Sequence, residues 1–157
     1  MKNYGIPQGS PISDLLANIY LLKFDCAVRE RIAKLGGVYF RYSDDILLIC
    51  PGGEDVGKSL AYDMRVMIKK FGEKLVIKEK KSSVFVFSSK GSTQVCTLVQ
   101  GEQDKNGLEY LGFRFDGRKV FIRDSTLSNL YRKVTRNARS AAVSLVKRYP
   151  GKDASFL

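Results

Sequence analysis

The 157-residue chain contains no histidine. That removes the commonest general base of enzymes and the commonest zinc ligand. Cysteine is scarce: Cys26, Cys50 and Cys96 are far apart and odd in number. With no CxxC pair, neither a zinc site nor a disulfide framework is supported. Cys26 and Cys50 lie in apolar runs and read as core residues of a reducing compartment. No apolar run approaches the ~18 residues of a membrane span, and "MKNYGIPQGS" lacks the apolar stretch of a signal peptide. A cytoplasmic protein is the default expectation. Acid is also in short supply, with 16 acidic against 27 basic residues and a net charge of +11. A pI near 9.7 suits an anionic polymer as partner, or simply a soluble basic protein.

A hydrophobic fraction of 44% over this length is enough for one domain with one core. Residues 1–11 are rich in Gly and Pro and read as a loop. Ser10 and Pro11 then suit the N-cap and first position of a helix. Its apolar stripe runs Ile12, Leu15, Leu16, Ile19, Leu22, Cys26, fades through "RERIAK" and stops at Gly36-Gly37. "VYFRYSDDILLIC" reads as two strands around a tight "SDD" turn, an antiparallel hairpin. Its second strand is apolar on both faces, which predicts a central place in a sheet. Pro51-Gly52-Gly53 ends the hairpin.

Residues 54–71 read as a second amphipathic helix with Val56, Leu60, Met64, Met67, Ile68 and Phe71 inward. "KLVIKEKKSSVFVFSS" supplies one or two strands, and "TQVCTLV" another. "LEYLGFRFDGRKVFIR" turns at Asp116-Gly117. Residues 125–148 form a last helix. Leu127, Leu130, Val134, Ala138, Ala141 and Leu145 line one side, and Arg132, Lys133, Arg136, Arg139, Lys147 and Arg148 make the rest basic. The order of elements predicts an α+β fold. Several residues have ordinary structural explanations. Arg29, Arg31 and Lys34 suit a solvated helix face, Lys69 and Lys70 a helix C-terminus, and Tyr20, Phe24 and Phe71 a core. Phe85 and Phe87 alternate with Val84 and Val86, so one strand face is expected to be buried.

Asp44 and Asp45 raise the functional question. Adjacent carboxylates on a turn can converge on one locus. Oxygen ligands without His or Cys favour Mg²⁺ or Mn²⁺. Asp is also common in turns for backbone reasons alone. A second element lies upstream: "GIPQGSPIS" is a glycine-containing loop entering a helix, where backbone N–H groups favour negative charge.

In this order, "GIPQGSPISDLLANIYL" followed by "RYSDD" resembles the palm of reverse transcriptases, of the bacterial retron, group II intron and phage-defence types. "KLVIKEKKS" is similar to the family's next motif and "YLGF" to its primer-grip turn, so the resemblance spans roughly residues 4–115. It implies a partial palm over 1–122 and a basic helix that starts a thumb over 123–157. It implies RNA-directed DNA synthesis with two divalent metal ions, an RNA template, a DNA or RNA primer and dNTPs. Asp44 would be the main catalytic metal ligand and Asp45 its assistant. Gln8, Gly9 and Ser10 would border nucleotide and template, and Tyr42 would lie close to the primer end. Lys81 would neutralise or protonate the leaving pyrophosphate. Tyr110, Leu111, Gly112 and Phe113 would form the primer grip, and the basic last helix would hold duplex phosphates.

The family pattern also has an upstream catalytic Asp and a fingers region, neither of which lies within these residues. Asp14 suits a first-turn dipole acid, Asp25 lies at the far end of the same helix, and neither is taken as the replacement. The chain by itself is therefore expected to be inactive or weak, and its uncovered sheet edge to favour a homodimer or domain swap. Two other readings stay open. One is a non-catalytic palm-derived module that binds nucleic acid or a partner chain. The other is an RNA-dependent RNA polymerase, against which the QGSP and YSDD pairing argues. No Cys/His cluster of endonuclease type is present.

Overall fold

The structure, a computed structural model, describes residues 11–102 and 107–151. The expectations for Gln8, Gly9 and Ser10 lie outside the described residues. Helix α1 (Pro11–Ala33) leads into strands β1 (Val38–Tyr42) and β2 (Asp45–Ile49), then helix α2 (Glu54–Lys69). A single 3₁₀ turn, Glu79–Lys81, precedes β3 (Val84–Lys90) and β4 (Thr93–Gln100). The short strands β5 (Leu108–Tyr110), β6 (Phe113–Phe115) and β7 (Val120–Ile122) follow, and α3 (Asp124–Arg148) comes last. All the pairings are antiparallel: β1 with β2, β3 with β4, and β5 with β6 with β7. Among the described residues, three helices with small antiparallel sheets match the α+β expectation. No helix among the described residues is long and apolar enough to cross a membrane.

The core lies between the two helices and one face of the first hairpin. Phe24, Val28 and Ile32 of α1 meet Leu60, Met64 and Ile68 of α2, with Tyr39, Ile46, Leu48 and Cys50 packed alongside. The inward residues of α2 are those its periodicity predicted. Phe71 lies just beyond the helix and meets Phe24 edge to face, centroids 5.8 Å apart.

The inward face of α1 is a correction. Ile12, Leu15, Leu16, Ile19 and Leu22 were expected inside, yet all are exposed, and so is Cys26. The buried residues instead come from the stretch read as fading into charge. The physical reason is that α1 is apolar on more than one side. A helix of that kind is not oriented by its own periodicity. The hairpin and α2 cover only one side of its C-terminal half. Tyr20 is likewise exposed, its hydroxyl donating to the Phe71 carbonyl. Arg31 is not merely solvated but pairs with Asp63 of α2.

Two further readings change. Strand β2 was expected to be central, but among the described residues it pairs with β1 alone. Its apolar character on both faces exceeds what the helices cover. Of the one or two strands expected of the basic stretch it supplies one, β3, and residues 74–78 form none. Val84 to Phe87 are all half-buried rather than alternating, because β3 is touched from two sides. Gly57 lets α2 approach it: a Cβ there would stand 2.6 Å from Val84 Cγ1. On the other side Phe87 stacks on Phe115 of β6 at 5.5 Å.

The turn at Asp116-Gly117 forms as expected. Asp116 Oδ1 accepts the backbone N–H groups of Arg118 and Lys119, each at 2.7 Å. Helix α3 keeps its sequence-predicted stripe, but no residue of it is buried.

Candidate functional site

The β1–β2 hairpin closes through a two-residue turn, Ser43-Asp44, with Tyr42 paired across to Asp45. Ser43 adopts φ 54°, the left-handed region. Asp44 thus sits at the tip and Asp45 begins the outgoing strand. Both are exposed, and neither takes part in the ion pairs among the described residues. Tyr42 is 68% exposed beside them.

The other acid near this hairpin is fully committed. Asp25 receives hydrogen bonds from Arg41 Nε at 2.8 Å, Arg41 Nη2 at 2.6 Å and the Tyr39 hydroxyl. The two charged side chains are only 7% and 10% exposed. Burial works to raise the Asp25 carboxyl's pKa, but the hydrogen bonds from Arg41 and Tyr39 and the charges of Arg41 and Arg29 outweigh it and hold the group below the ordinary carboxylate value. The Tyr39 phenol moves far upward, first through burial, then through its bond to Asp25 and that group's charge. Asp25 is therefore a structural anchor between α1 and β1. Asp14 is exposed in the first turn of α1.

These shifts predict a pH dependence. The folded-state pKa of Asp25 lies below its unfolded value of about 3.9. Its contribution to stability is thus complete above about pH 4 and is lost as pH falls through the lowered folded value. Tyr39 has the opposite sign: its contribution is complete below about pH 10 and is lost as pH rises toward the raised folded value. Urea denaturation across pH is expected to show both limbs. Asp25→Asn should flatten the acid limb and Tyr39→Phe the alkaline one. Unchanged limbs in both variants would contradict the network.

The "YLGF" stretch forms a second tight turn, between β5 and β6. Leu111 at φ 48° and Gly112 at φ 82° are both left-handed, the pattern of a type I′ hairpin. Glycine adopts this freely. For leucine the conformation costs roughly 1–2 kcal/mol, so the turn is held by its surroundings. One such hold is visible: the Arg123 N–H, at the start of α3, donates to the Gly112 carbonyl at 2.9 Å. Tyr110 is half-buried, and its phenol is pushed up by burial and, next, by the charge of Asp45. Tyr110 thus lies within electrostatic range of Asp45. Leu111 and Phe113 are exposed. Lys81 stands apart, exposed at the end of the 3₁₀ turn.

The donor set at the hairpin is two carboxylates with no nitrogen or sulfur, which fits a hard cation such as Mg²⁺ or Mn²⁺. Among the described residues no group of three or more acids or cysteines comes together. The sequence reading missed Arg41, Asn18 and Tyr39. Their partners are 14 to 23 residues away in the chain, and no local spacing marks such pairs.

No curated protein matches the chain. The sequence profile of one family, described as reverse transcriptase (RNA-dependent DNA polymerase), matches residues 1–115. That span holds α1, the acidic hairpin, α2 and the YLGF turn, and it is most of the chain. The chain belongs to the reverse transcriptase family.

Proposed function

We propose that residues 1–122 are part of the palm of an RNA-directed DNA polymerase and that residues 123–157 begin its thumb. The observation that carries this reading is the pair Asp44 and Asp45: adjacent, exposed and without an ion pair among the described residues, at a hairpin end where Asp45 lies within electrostatic range of Tyr110. Carboxylates without an ion-pair partner among the described residues, on a chain of net charge +11, are well placed to hold a divalent cation. Asp44 and Asp45 would hold Mg²⁺ or Mn²⁺, which when bound stabilises the attacking and leaving oxygens of nucleotidyl transfer.

Tyr42, next to the acids, would contact the primer end. Tyr110 to Phe113 would support the primer backbone, with the Arg123 bond to Gly112 joining this turn to α3. Gln8, Gly9 and Ser10 would border nucleotide and template, and Lys81 would meet the departing pyrophosphate. On α3, Arg132, Arg136 and Arg139 lie on one exposed face with Thr135 and Tyr131. Their charges suit duplex phosphates. Two carboxylates are few for two metal ions, so the chain by itself is expected to be inactive or weak. The edge of β2 that is unpaired among the described residues and the exposed apolar residues of α1 fit an expectation of self-association or swapping.

The exposed basic face of α3 also favours a second reading, a module that binds nucleic acid without chemistry. Primer extension on a primed RNA template with dNTPs and Mg²⁺ separates the two. The chain and its Asp44→Asn variant are compared, alone and joined to an upstream fingers region and first catalytic strand. Asp44-dependent extension in either format supports the polymerase reading. Silence in both, with retained RNA binding, supports the binding module.

A further inference from the structure

The turn that carries Asp44 is held from one side by a single residue. Arg41 gives two donors to the Asp25 carboxylate. Its Nη1 donates to Asn18 Oδ1 at 2.9 Å and to the carbonyl of Ser43 at 2.8 Å. Ser43 is the left-handed residue immediately before Asp44. Asn18 and Asp25 are seven residues apart on α1, two helical turns, so both face the same way. The planar guanidinium therefore bridges a rigid helix and the strained residue of the turn. A lysine ammonium lacks the fork geometry to do this.

We propose that Arg41 is a positioning residue for the hairpin acids, fixing the Ser43-Asp44 turn in the conformation from which Asp44 and Asp45 bind one divalent cation together. The inference rests on reading those acids as metal ligands. Electrostatics alone predicts the opposite effect. A guanidinium near two carboxylates repels an incoming cation, so a spectator Arg41 would tighten metal binding when removed. Because Asp25 neutralises it, the pair can be removed with no change in net charge.

The test uses the 157-residue chain with Mn²⁺ as probe, read by paramagnetic broadening of the backbone amide signals of residues 43–46. Wild type is expected to show saturable broadening that Asp44→Asn abolishes. The charge-neutral double variant Asp25→Asn with Arg41→Met, shown by circular dichroism to be folded, is expected to bind Mn²⁺ about 10–100-fold more weakly, the range for groups that orient metal ligands. Arg41→Lys keeps the charge pair and the fold, and is expected to weaken binding in the same direction. It decides the matter if the double variant is unfolded. Unchanged or tighter Mn²⁺ binding in a folded variant overturns the inference alone. Absence of saturable broadening in wild type overturns the metal-ligand reading and the inference with it.

Discussion

Asp25→Ala is expected to destabilise the chain by about 3–5 kcal/mol, the range for removing one partner of a buried ion pair. The substitution leaves the Arg41 guanidinium in a site where its side chain is 7% exposed, with its two best acceptors gone. It also strips the Tyr39 hydroxyl of its acceptor. Asn18 and the Ser43 carbonyl still hold Nη1, so Arg41 cannot simply swing out to water without breaking those bonds as well. The loss falls on a small core. Only Phe24, Val28, Ile32, Leu60, Met64 and Ile68 are buried apolar residues among those described. Domains have about 5–15 kcal/mol in total, so this one change takes a large share. The neutral double variant Asp25→Asn with Arg41→Met should cost markedly less than Asp25→Ala, because no unpaired charge remains. Urea denaturation checks both. A loss under about 1 kcal/mol for Asp25→Ala would show a solvated pair of the surface kind.

Phe24→Ala is expected to cost about 3–5 kcal/mol, while Ile19→Ala on the same helix stays within about 0.5 kcal/mol. Phe24 is fully buried and meets Phe71 edge to face. Removing its ring opens a cavity that α2 and the hairpin cannot close without moving. Ile19 is 61% exposed. The two substitutions rank in the opposite order if the apolar stripe from Ile12 to Cys26 is the inner face of α1. Parallel thermal or urea melts therefore test which way the helix faces. A large loss at Ile19 in the dissociated chain would overturn the packing described above.

Several features were legible because their causes are local. Strand-forming residues on either side of "SDD" sufficed for the first hairpin. Asp116-Gly117 marked the turn before β7, and the spacing of Leu60, Met64 and Ile68 marked the inner side of α2. The exposed position of the paired acids is local in the same way: Asp44 falls in the two-residue turn and Asp45 opens the outgoing strand. The order of "GIPQGSPIS", "RYSDD" and "YLGF" pointed to the family that the profile match over residues 1–115 shows.

The sequence by itself determined the element types, their turns and the identity of the paired acids, since each follows from backbone preference or from neighbours a few residues away. The tertiary structure alone decided which side of α1 is buried, because that helix is apolar on more than one side and only its neighbours choose among them. It alone decided that Asp25 anchors α1 to β1. The Arg41 guanidinium that claims it lies 16 residues along the chain, on another element, and only folding brings the two charges within hydrogen-bonding distance.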